Sequence, residues 1–183
     1  KPLTADDVIF SYKRIIDPKG SFLGSSYILI IKGAADYLAG KADEIAGLKK
    51  IDDNTIEITL ESRVDPGFSL MQNSTMIMPS NVDPKEQAIN PVGLGPFKFK
   101  SHTPGSQVEL ERFDKFYKDG KPYLDKLNVI VMPDDSTRNV AFRNQEVDTS
   151  VLGPVQYQEY LNDPALKENI IEVAEVFTRN IGF

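Results

Sequence analysis

The sequence predicts a mixed α/β fold with two lobes, and three observations lead to this prediction. Segments with apolar residues at helical spacing alternate along the chain with segments that have the two-residue period of strands. Residues 127–132 are apolar on both faces, which is typical of a strand in the centre of a sheet. The polar, proline-containing stretch 80–90 separates two halves whose residue patterns differ, and we interpret it as a boundary between lobes.

The first half of the chain is predicted to contain short helices around one hairpin. Thr4 and Asp7 have the spacing of a capping box, and apolar residues then recur at helical spacing, so a helix is predicted from Ala5 to Ile16. The other predicted elements are a loop over 21–26 before the apolar run 27–31, a helix over 34–38 with Gly40 as its cap, a hairpin of strands 48–51 and 55–60, and a helix that opens at Asp65-Pro66.

The second half is predicted to alternate strands with helices. Residues 97–100 and 108–112 alternate like paired strands, and the apolar segment 127–132 follows as the central strand. Either Asp134 or Asp135 is expected to cap the next helix. The remaining predicted elements are a strand over 147–152, a helix that starts at Pro154 and a last strand over 170–177.

Composition excludes several classes of protein. Of 183 residues, 40% are hydrophobic and 26% are charged, with 12 Gly and 12 Pro, as in ordinary globular proteins. Lys and Arg total 21 against 27 Asp and Glu, so the basic excess that binds phosphate backbones is missing and no nucleic-acid partner is expected. The chain has no run of 18 apolar residues, so no membrane span is predicted.

The sequence offers little for catalysis, metals or cofactors. It has no cysteine, and His102 is its single histidine, which excludes thiolate chemistry and a multi-histidine metal site. No serine lies in a nucleophile elbow. The glycines 93 and 95 lead into a strand, whereas a dinucleotide fingerprint leads into a helix. We therefore expect no enzyme activity, no cofactor and no metal.

Two uncharged polar stretches are candidate ligand-binding loops because each interrupts or adjoins an apolar segment, as cleft-lining loops often do. We expect them to lie on the same side of the first lobe; the alternative is that they are unrelated surface loops. Their residues are Ser25, Ser26 and Tyr27 in one stretch, and Gln72, Asn73, Ser74, Thr75 and Met76 in the other.

Three blocks of sequence resemble one protein family. They are 1–14 (KPLTADDVIFSYKR), 90–99 (NPVGLGPFKF), and a third that runs from Val108 through 116–126 to Pro133-Asp134, Arg138 and 146–148. In this order and spacing they resemble the extracytoplasmic solute-binding proteins of the oligopeptide, dipeptide and nickel ABC transporters, family 5. Leu94 stands where the family usually has Thr, and 116–118 (FYK) replaces the common Tyr-Trp-Gly.

The resemblance implies a partial type II periplasmic-binding-protein fold, α/β with mixed sheets and flanking helices. Residues 1–90 would belong to a small accessory lobe, and 91–183 to the central part of the first ligand-binding lobe. The chain would be the middle of a longer protein, since it starts at Lys1 and ends on the apolar residues 181–183. Strands without their usual partners would then favour self-association of the fragment.

The resemblance also implies a function, namely capture of peptides or a related small solute and delivery to an ABC permease. The candidate loops would hold an extended peptide backbone through hydrogen bonds and aromatic stacking. The expected location is outside the cytoplasmic membrane, in the periplasm or at the cell surface as an anchored lipoprotein. The alternative is a peptide-sensing or adhesion receptor on the same fold, with a signalling partner in place of the permease.

Overall fold

The computed structural model of the chain describes residues 2–20 and 25–173. These residues form two compact units: one contains the residues up to His102 together with 108–128, and the other contains 103–107 and the residues from Val129 onward. Two separate sheets are present, one with two strands and one with three. In the described part of the chain, no helix is long and apolar enough to cross a membrane.

Helix α1 (Ala5–Ile15) forms where the capping pattern predicts it. The backbone N–H of Thr4 donates to the Asp7 carboxylate at 2.9 Å, which satisfies one of the donors that a helix start leaves unpaired. Two acidic residues lie in the first turn and two basic residues in the last, as the helix dipole favours. Tyr12 and Ile15 are buried and face the core.

Helices α2 (Ser25–Ile28) and α3 (Ala34–Leu38) follow. The prediction of a loop as far as residue 26 is wrong at its end, because Ser25 and Ser26 already form the first turn of α2. Ile28, at the end of α2, and Ile31, which follows the helix, are both fully buried. Gly40, the predicted cap of α3, has a φ of 68°, in the left-handed region where glycine is favoured.

The predicted hairpin is confirmed as an antiparallel pair, β1 (Leu48–Asp52) and β2 (Thr55–Ile58), with Leu48 opposite Ile58. Ile31 and Leu60 form an additional antiparallel bridge. The hairpin packs on the apolar core of this unit, whose buried members are Tyr12, Ile15, Ile16, Ile28, Ile31, Ala34 and Ile45.

Two short helices and a turn lie between the hairpin and the second sheet: α4 (Gly67–Leu70), a 3₁₀ turn (Asn73–Thr75) and α5 (Pro84–Ile89). The Asp65 carboxylate accepts the N–H of Gly67 at 2.9 Å, but the N-cap of α4 is Pro66, so this helix starts one residue later than predicted. The stretch 80–90 is more ordered than its polarity suggests, because the Asp83 carboxylate accepts the N–H of Lys85 at 2.7 Å and starts α5.

The second sheet has the order β3 (Phe97–Thr103), β4 (Gln107–Arg112) and β5 (Lys126–Ile130). The prediction that 127–132 is a central strand is wrong for this chain, because β5 lies at the sheet edge and all of its residues are exposed. No strand among the described residues pairs with its outer side. Cross-strand ion pairs join Lys98 to Glu111 and Lys100 to Glu109, each at 3.0 Å.

Three helices complete the described chain: α6 (Asp135–Arg143), α7 (Pro154–Asn162) and α8 (Pro164–Lys167). Of the two candidate caps of α6, Asp134 is the one used, and its carboxylate accepts the N–H of Thr137 at 2.9 Å. The hydroxyl of Tyr160 donates to the side-chain oxygen of Asn139 at 2.7 Å, which joins α7 to α6.

Within the described residues, two predicted strands are not formed. Residues 147–152 are irregular, and so are 170–173, while the rest of the second predicted strand lies outside the described residues. A strand requires a hydrogen-bonded partner, and neither segment has one among the described strands. Both segments instead line a cavity of about 720 Å³ together with Tyr157 and Tyr160.

Candidate functional site

The structure brings Tyr27 and Gln72 to the same short helix, α4. The rings of Tyr27 and Phe68 meet edge to face, with centroids 6.2 Å apart and planes at 71°. The side-chain amide of Gln72 donates to the carbonyl of Phe68 at 2.6 Å. Phe68 itself is 73% exposed, and Ser26 is exposed in the turn that precedes Tyr27. One residue from each predicted loop therefore flanks an accessible aromatic ring.

Thr75 has a different position from the other candidates, because it faces the interior and is 2% exposed. Its hydroxyl lies 2.9 Å from the carbonyl oxygen of Gln72 and 3.0 Å from that of Leu70. The hydroxyl of Thr75 is therefore hydrogen-bonded to backbone carbonyls of the same chain. Thr75 thus stabilises the 3₁₀ turn that carries Asn73 and Ser74.

Asn73, Ser74 and Met76 line a groove of about 500 Å³. The opposite wall comes from Arg14, at the end of α1, and from α5 and the residues that follow it, including Gln87 and Val92. We call this feature the Arg14 groove. The predicted site residues are therefore arranged on two neighbouring features, the rings beside α4 and the Arg14 groove.

One wall of the Arg14 groove is held by a side chain that imitates a peptide group. The amide nitrogen of Gln87 donates to the carbonyl of Val92 at 2.6 Å, and the N–H of Val92 donates to the amide oxygen of Gln87 at 3.1 Å. Both backbone groups of Val92 are satisfied in this way, as they would be by a neighbouring strand. The position of the chain after α5 is thereby defined.

Segment 78–80, whose first residue lines the groove, is anchored to α1 by Asp7, which is 2% exposed. One carboxylate oxygen accepts both the N–H and the hydroxyl of Ser80, each at 2.8 Å. The hydroxyl of Ser11 donates to the carbonyl of Asp7 at 2.7 Å and accepts the N–H of Met78 at 2.9 Å. Segment 78–80 is consequently held against the helix by three of these hydrogen bonds.

Sequence reasoning missed Arg14, Gln87 and Val92. Arg14 lies in a predicted helix, whereas Gln87 lies in the stretch predicted as a lobe boundary and Val92 in no predicted element, and the packing of α5 near α1 brings the three together. The sole sequence signal was the basic residue in the last turn of a predicted helix, which the helix dipole explains without any ligand.

The groove contains groups suited to binding. Its walls combine apolar side chains with amides, a hydroxyl and one guanidinium. In the residues that the structure describes, no group of three or more His, Asp and Glu side chains is placed to hold a metal ion. Such an arrangement can orient an extended ligand through hydrogen bonds while apolar contacts supply affinity.

The fold is that of periplasmic binding proteins. The crystal structure of a periplasmic oligopeptide-binding protein of an oligopeptide ABC transporter from Borrelia burgdorferi matches with a TM-score of 0.78 at 28% identity, covering 88% of this chain and 34% of that one. The predicted partial type II periplasmic-binding-protein fold is therefore confirmed.

The chain belongs to the bacterial extracellular solute-binding proteins of family 5, because the model of the middle part of that family matches residues 1–183. The dipeptide-binding protein DppE of Bacillus subtilis is 28% identical over 96% of this chain and 33% of its own length. The heme-binding protein A of Haemophilus influenzae is 30% identical over 75% of this chain and 26% of its own length. The chain spans between a quarter and a third of the length of these relatives.

Proposed function

We propose that this chain is the middle part of the solute-binding component of an ABC importer that captures peptides and delivers them to a permease. Family membership carries the proposal, together with the names of relatives that bind dipeptides and oligopeptides. The protein acts outside the cytoplasmic membrane by binding alone, without making or breaking a bond in its ligand. Because one relative is named a heme-binding protein, the chemical class of the ligand is the part of this proposal that needs a test.

Residues 1–90 form part of an accessory lobe in this proposal, and 91–183 form the central part of the first ligand-binding lobe. The separate sheets support the presence of two lobes, since Ile56 lies in the two-stranded sheet and Val129 in the three-stranded one. The compact units differ from this boundary, because they place 91–102 and 108–128 with the first half. In this family closure of the lobes on the ligand would give the signal to the permease.

The ligand-facing side of the accessory lobe comprises the rings beside α4 and the Arg14 groove. Its members from the sequence prediction are Ser25, Ser26, Tyr27, Gln72, Asn73, Ser74 and Met76. Thr75 belongs to the same prediction and stabilises the turn that carries Asn73 and Ser74. Amide and hydroxyl groups would bind the ligand backbone, while the aromatic rings stack on it. Because backbone groups are common to all peptides, this mode accepts many sequences.

The proposal is tested by native mass spectrometry of the full-length protein, purified without refolding. We expect co-purified ligands with the masses of short peptides, which amino-acid analysis of the released material would verify. Heme, or another ligand that contains no amino acids, would overturn the peptide assignment.

The site is tested by calorimetry on the full-length double variant Tyr27→Ala and Asn73→Ala. Affinity for the co-purified peptides should fall about tenfold, since a ring contact and an amide hydrogen bond are lost together. The Tm of the unliganded protein should change little, because Tyr27 is only half-buried and Asn73 is exposed.

A matched control is the pair Tyr123→Ala and Asn162→Ala, which removes the same groups from exposed positions elsewhere. Its affinity should equal that of the wild type. Equal affinities of the two double variants would remove these loops from the site.

A further inference from the structure

The 4 methionines of the chain fall into an exposed pair and a half-buried pair. Met71 is 84% exposed and Met76 is 67% exposed, whereas Met78 and Met132 are half-buried. A methionine side chain stabilises a fold by burying its apolar atoms, so an exposed one contributes little to stability. The thioethers of Met71 and Met76 are also open to reagents dissolved in water.

Met71 lies at the end of α4, outside the apolar core. Its N–H donates to the carbonyl of Gly67 at 3.1 Å and completes the last turn of the helix. Phe68 lies three residues earlier, at the spacing of neighbours on one helix face, and is 73% exposed. Among the described residues, Leu70 packs against the core of this unit and Met71 does not. A polar group on the side chain of Met71 would therefore lie in solvent beside an exposed ring.

Met76 is exposed although both of its neighbours in the sequence are held by the fold. Thr75 is buried, and Ile77 packs against the apolar core. The backbone at Met76 is extended, with φ −61° and ψ 139°, and in extended chain successive side chains point to opposite sides. A change at the sulfur of Met76 therefore leaves the inward contacts of its two neighbours in place.

Met78 and Met132 lie in segments that are tied to helices. The N–H of Met78 donates to the hydroxyl of Ser11 in α1 at 2.9 Å. The carbonyl of Met132 accepts a hydrogen bond from the guanidinium of Arg138 in α6 at 2.5 Å. Partial burial on a fixed backbone limits the approach of an oxidant to the sulfur, since oxidation follows exposure.

We propose that Met71 and Met76 are the methionines of this chain that peroxides oxidise first, and that the fold tolerates their sulfoxides. The sulfur lone pair attacks one oxygen of hydrogen peroxide and the O–O bond breaks. The hydroxide that leaves takes the proton of the transferred oxygen and becomes water, so sulfur loses two electrons and the peroxide gains them. Methionine sulfoxide reductases reverse the change. Neither the reaction nor its reversal involves the transported ligand, so the inference is independent of the proposed function.

The test treats the full-length wild-type protein with dilute hydrogen peroxide and follows each methionine by peptide mapping with mass spectrometry. Met71 and Met76 should gain oxygen at least about twofold faster than Met78 and Met132, since oxidation follows exposure. Mapping assigns each oxygen to a position, so methionines elsewhere in the full-length protein do not enter the comparison. Equal rates for the two pairs, or faster oxidation of the half-buried pair, would overturn the assignment.

Two double variants test whether the fold tolerates the sulfoxides. Met71→Leu with Met76→Leu removes the exposed sulfurs, and Met78→Leu with Met132→Leu removes the half-buried ones; exchange of Met for Leu nearly conserves volume. The second variant is the control and should take up oxygen at Met71 and Met76 at the wild-type rate.

Thermal unfolding before and after the peroxide treatment gives the second readout. The treatment should change the Tm of the wild type and of the Met71→Leu, Met76→Leu variant by the same amount, because the sulfoxides lie outside the core. Reductase treatment should then remove the oxygen from both positions without a change in Tm. A larger fall in Tm for the wild type than for this variant would show that these sulfoxides disturb the fold and would overturn the tolerance.

Discussion

Asp7 is a charged side chain in the interior, and its burial is stable only because donors surround it. The carboxylate accepts the N–H of Thr4 at 2.9 Å, the hydroxyl of Thr4 at 3.0 Å, and two hydrogen bonds from Ser80 at 2.8 Å. An unpaired carboxylate at this depth would be strongly destabilising. The residue thus links the start of α1 to segment 78–80.

Asp7→Asn should lower the free energy of unfolding by about 2 kcal/mol, because the amide nitrogen faces N–H and O–H donors where an oxygen accepted before. Urea denaturation followed by circular dichroism measures this change. The shape of the side chain is kept, so the effect isolates the hydrogen-bonding capacity of the carboxylate.

The neighbouring Asp6→Asn variant is the control. Asp6 forms an exposed ion pair with Lys50 at 2.7 Å, and exposed pairs contribute little to stability. If Asp7→Asn unfolds at the same urea concentration as Asp6→Asn, the buried network does not stabilise the fold in the way described.

The elements around the hairpin meet at Gly47, where no side chain fits. Its N–H donates to the carbonyl of Lys32 at 2.7 Å and its carbonyl accepts the N–H of Thr59 at 2.8 Å. A Cβ at this position would lie 2.5 Å from the carbonyl oxygen of Thr59 and 2.9 Å from Ile31. The close approach of three segments therefore requires glycine here.

Gly47→Ala should destabilise the chain by roughly 3 kcal/mol, because backbone atoms would have to separate to admit the methyl group. Thermal or urea unfolding measures the loss. Gly95→Ala is the matched control, since a Cβ there meets nothing within 4 Å. Equal stability of the two alanine variants would show that the hairpin junction relaxes without cost.

Helix α6 depends on an ionised cap, which makes it sensitive to acid. Hydrogen bonds from Ser136 and Thr137 hold the pKa of Asp134 below its ordinary value of 3.8. Since the folded-state pKa is depressed, the stabilisation is present above pH 3.8 and is lost as the pH falls through the folded-state pKa. Protonation removes the charge that the first turn of the helix favours.

Asp134→Asn should therefore flatten the dependence of stability on pH, because asparagine still caps the helix but does not titrate. The comparison is the urea-unfolding free energy of wild type and variant between about pH 2.5 and 5.5. Glu109 and Glu111 also have pKa values lowered by Lys100 and Lys98 and contribute equally to both proteins. Parallel curves for the two proteins would contradict the assignment of this slope to Asp134.

Elements with local signals were predictable from the sequence, and those that depend on partners were not. Helix α1 and the β1-β2 hairpin carry caps and periodicity within a dozen residues, and both form as predicted. The strand over 147–152 fails because pairing is non-local. Helices α5 and α8 were missed although each starts with an Asp-Pro pair, the same signal that was recognised at Asp65.

The residue types of the candidate site were predictable from the sequence, but their arrangement in space was not. Polar loops beside apolar runs identified Tyr27 and Asn73, since such composition is visible locally. The inward position of Thr75 depends on carbonyls of the preceding turn, and the approach of Arg14 depends on tertiary packing. Composition alone contains neither fact.

At the scale of the whole chain, β5 presents an apolar edge. Leu127 is 37% exposed and Val129 is 49% exposed, and the outer side of β5 is unpaired among the described strands. A flat apolar edge offers its N–H and C=O groups to another chain. Self-association of the isolated 183-residue chain stays a prediction, and β5 is the segment we expect to mediate it.

Sedimentation velocity across a wide concentration range should show dimers or larger species for the wild type and a shift towards monomer for Val129→Lys. A lysine on an edge strand opposes pairing because its charge would be desolvated. Val155→Lys, on the exposed face of α7, adds the same charge away from the edge and should associate as the wild type does. A monomeric wild type at every concentration would exclude the edge as a contact.

The pairing of Gln87 with Val92 has a consequence for how sequences of this kind can vary. The amide contacts only the main chain of residue 92, so it is indifferent to the side chain there. Position 92 is therefore free to change, and with it the surface that the groove offers, while the loop keeps its course. Position 87 has the opposite property, because glutamate would repel a carbonyl and lysine would lack an acceptor. Gln87 thus holds the loop in place, while substitutions at position 92 can change the surface of the groove.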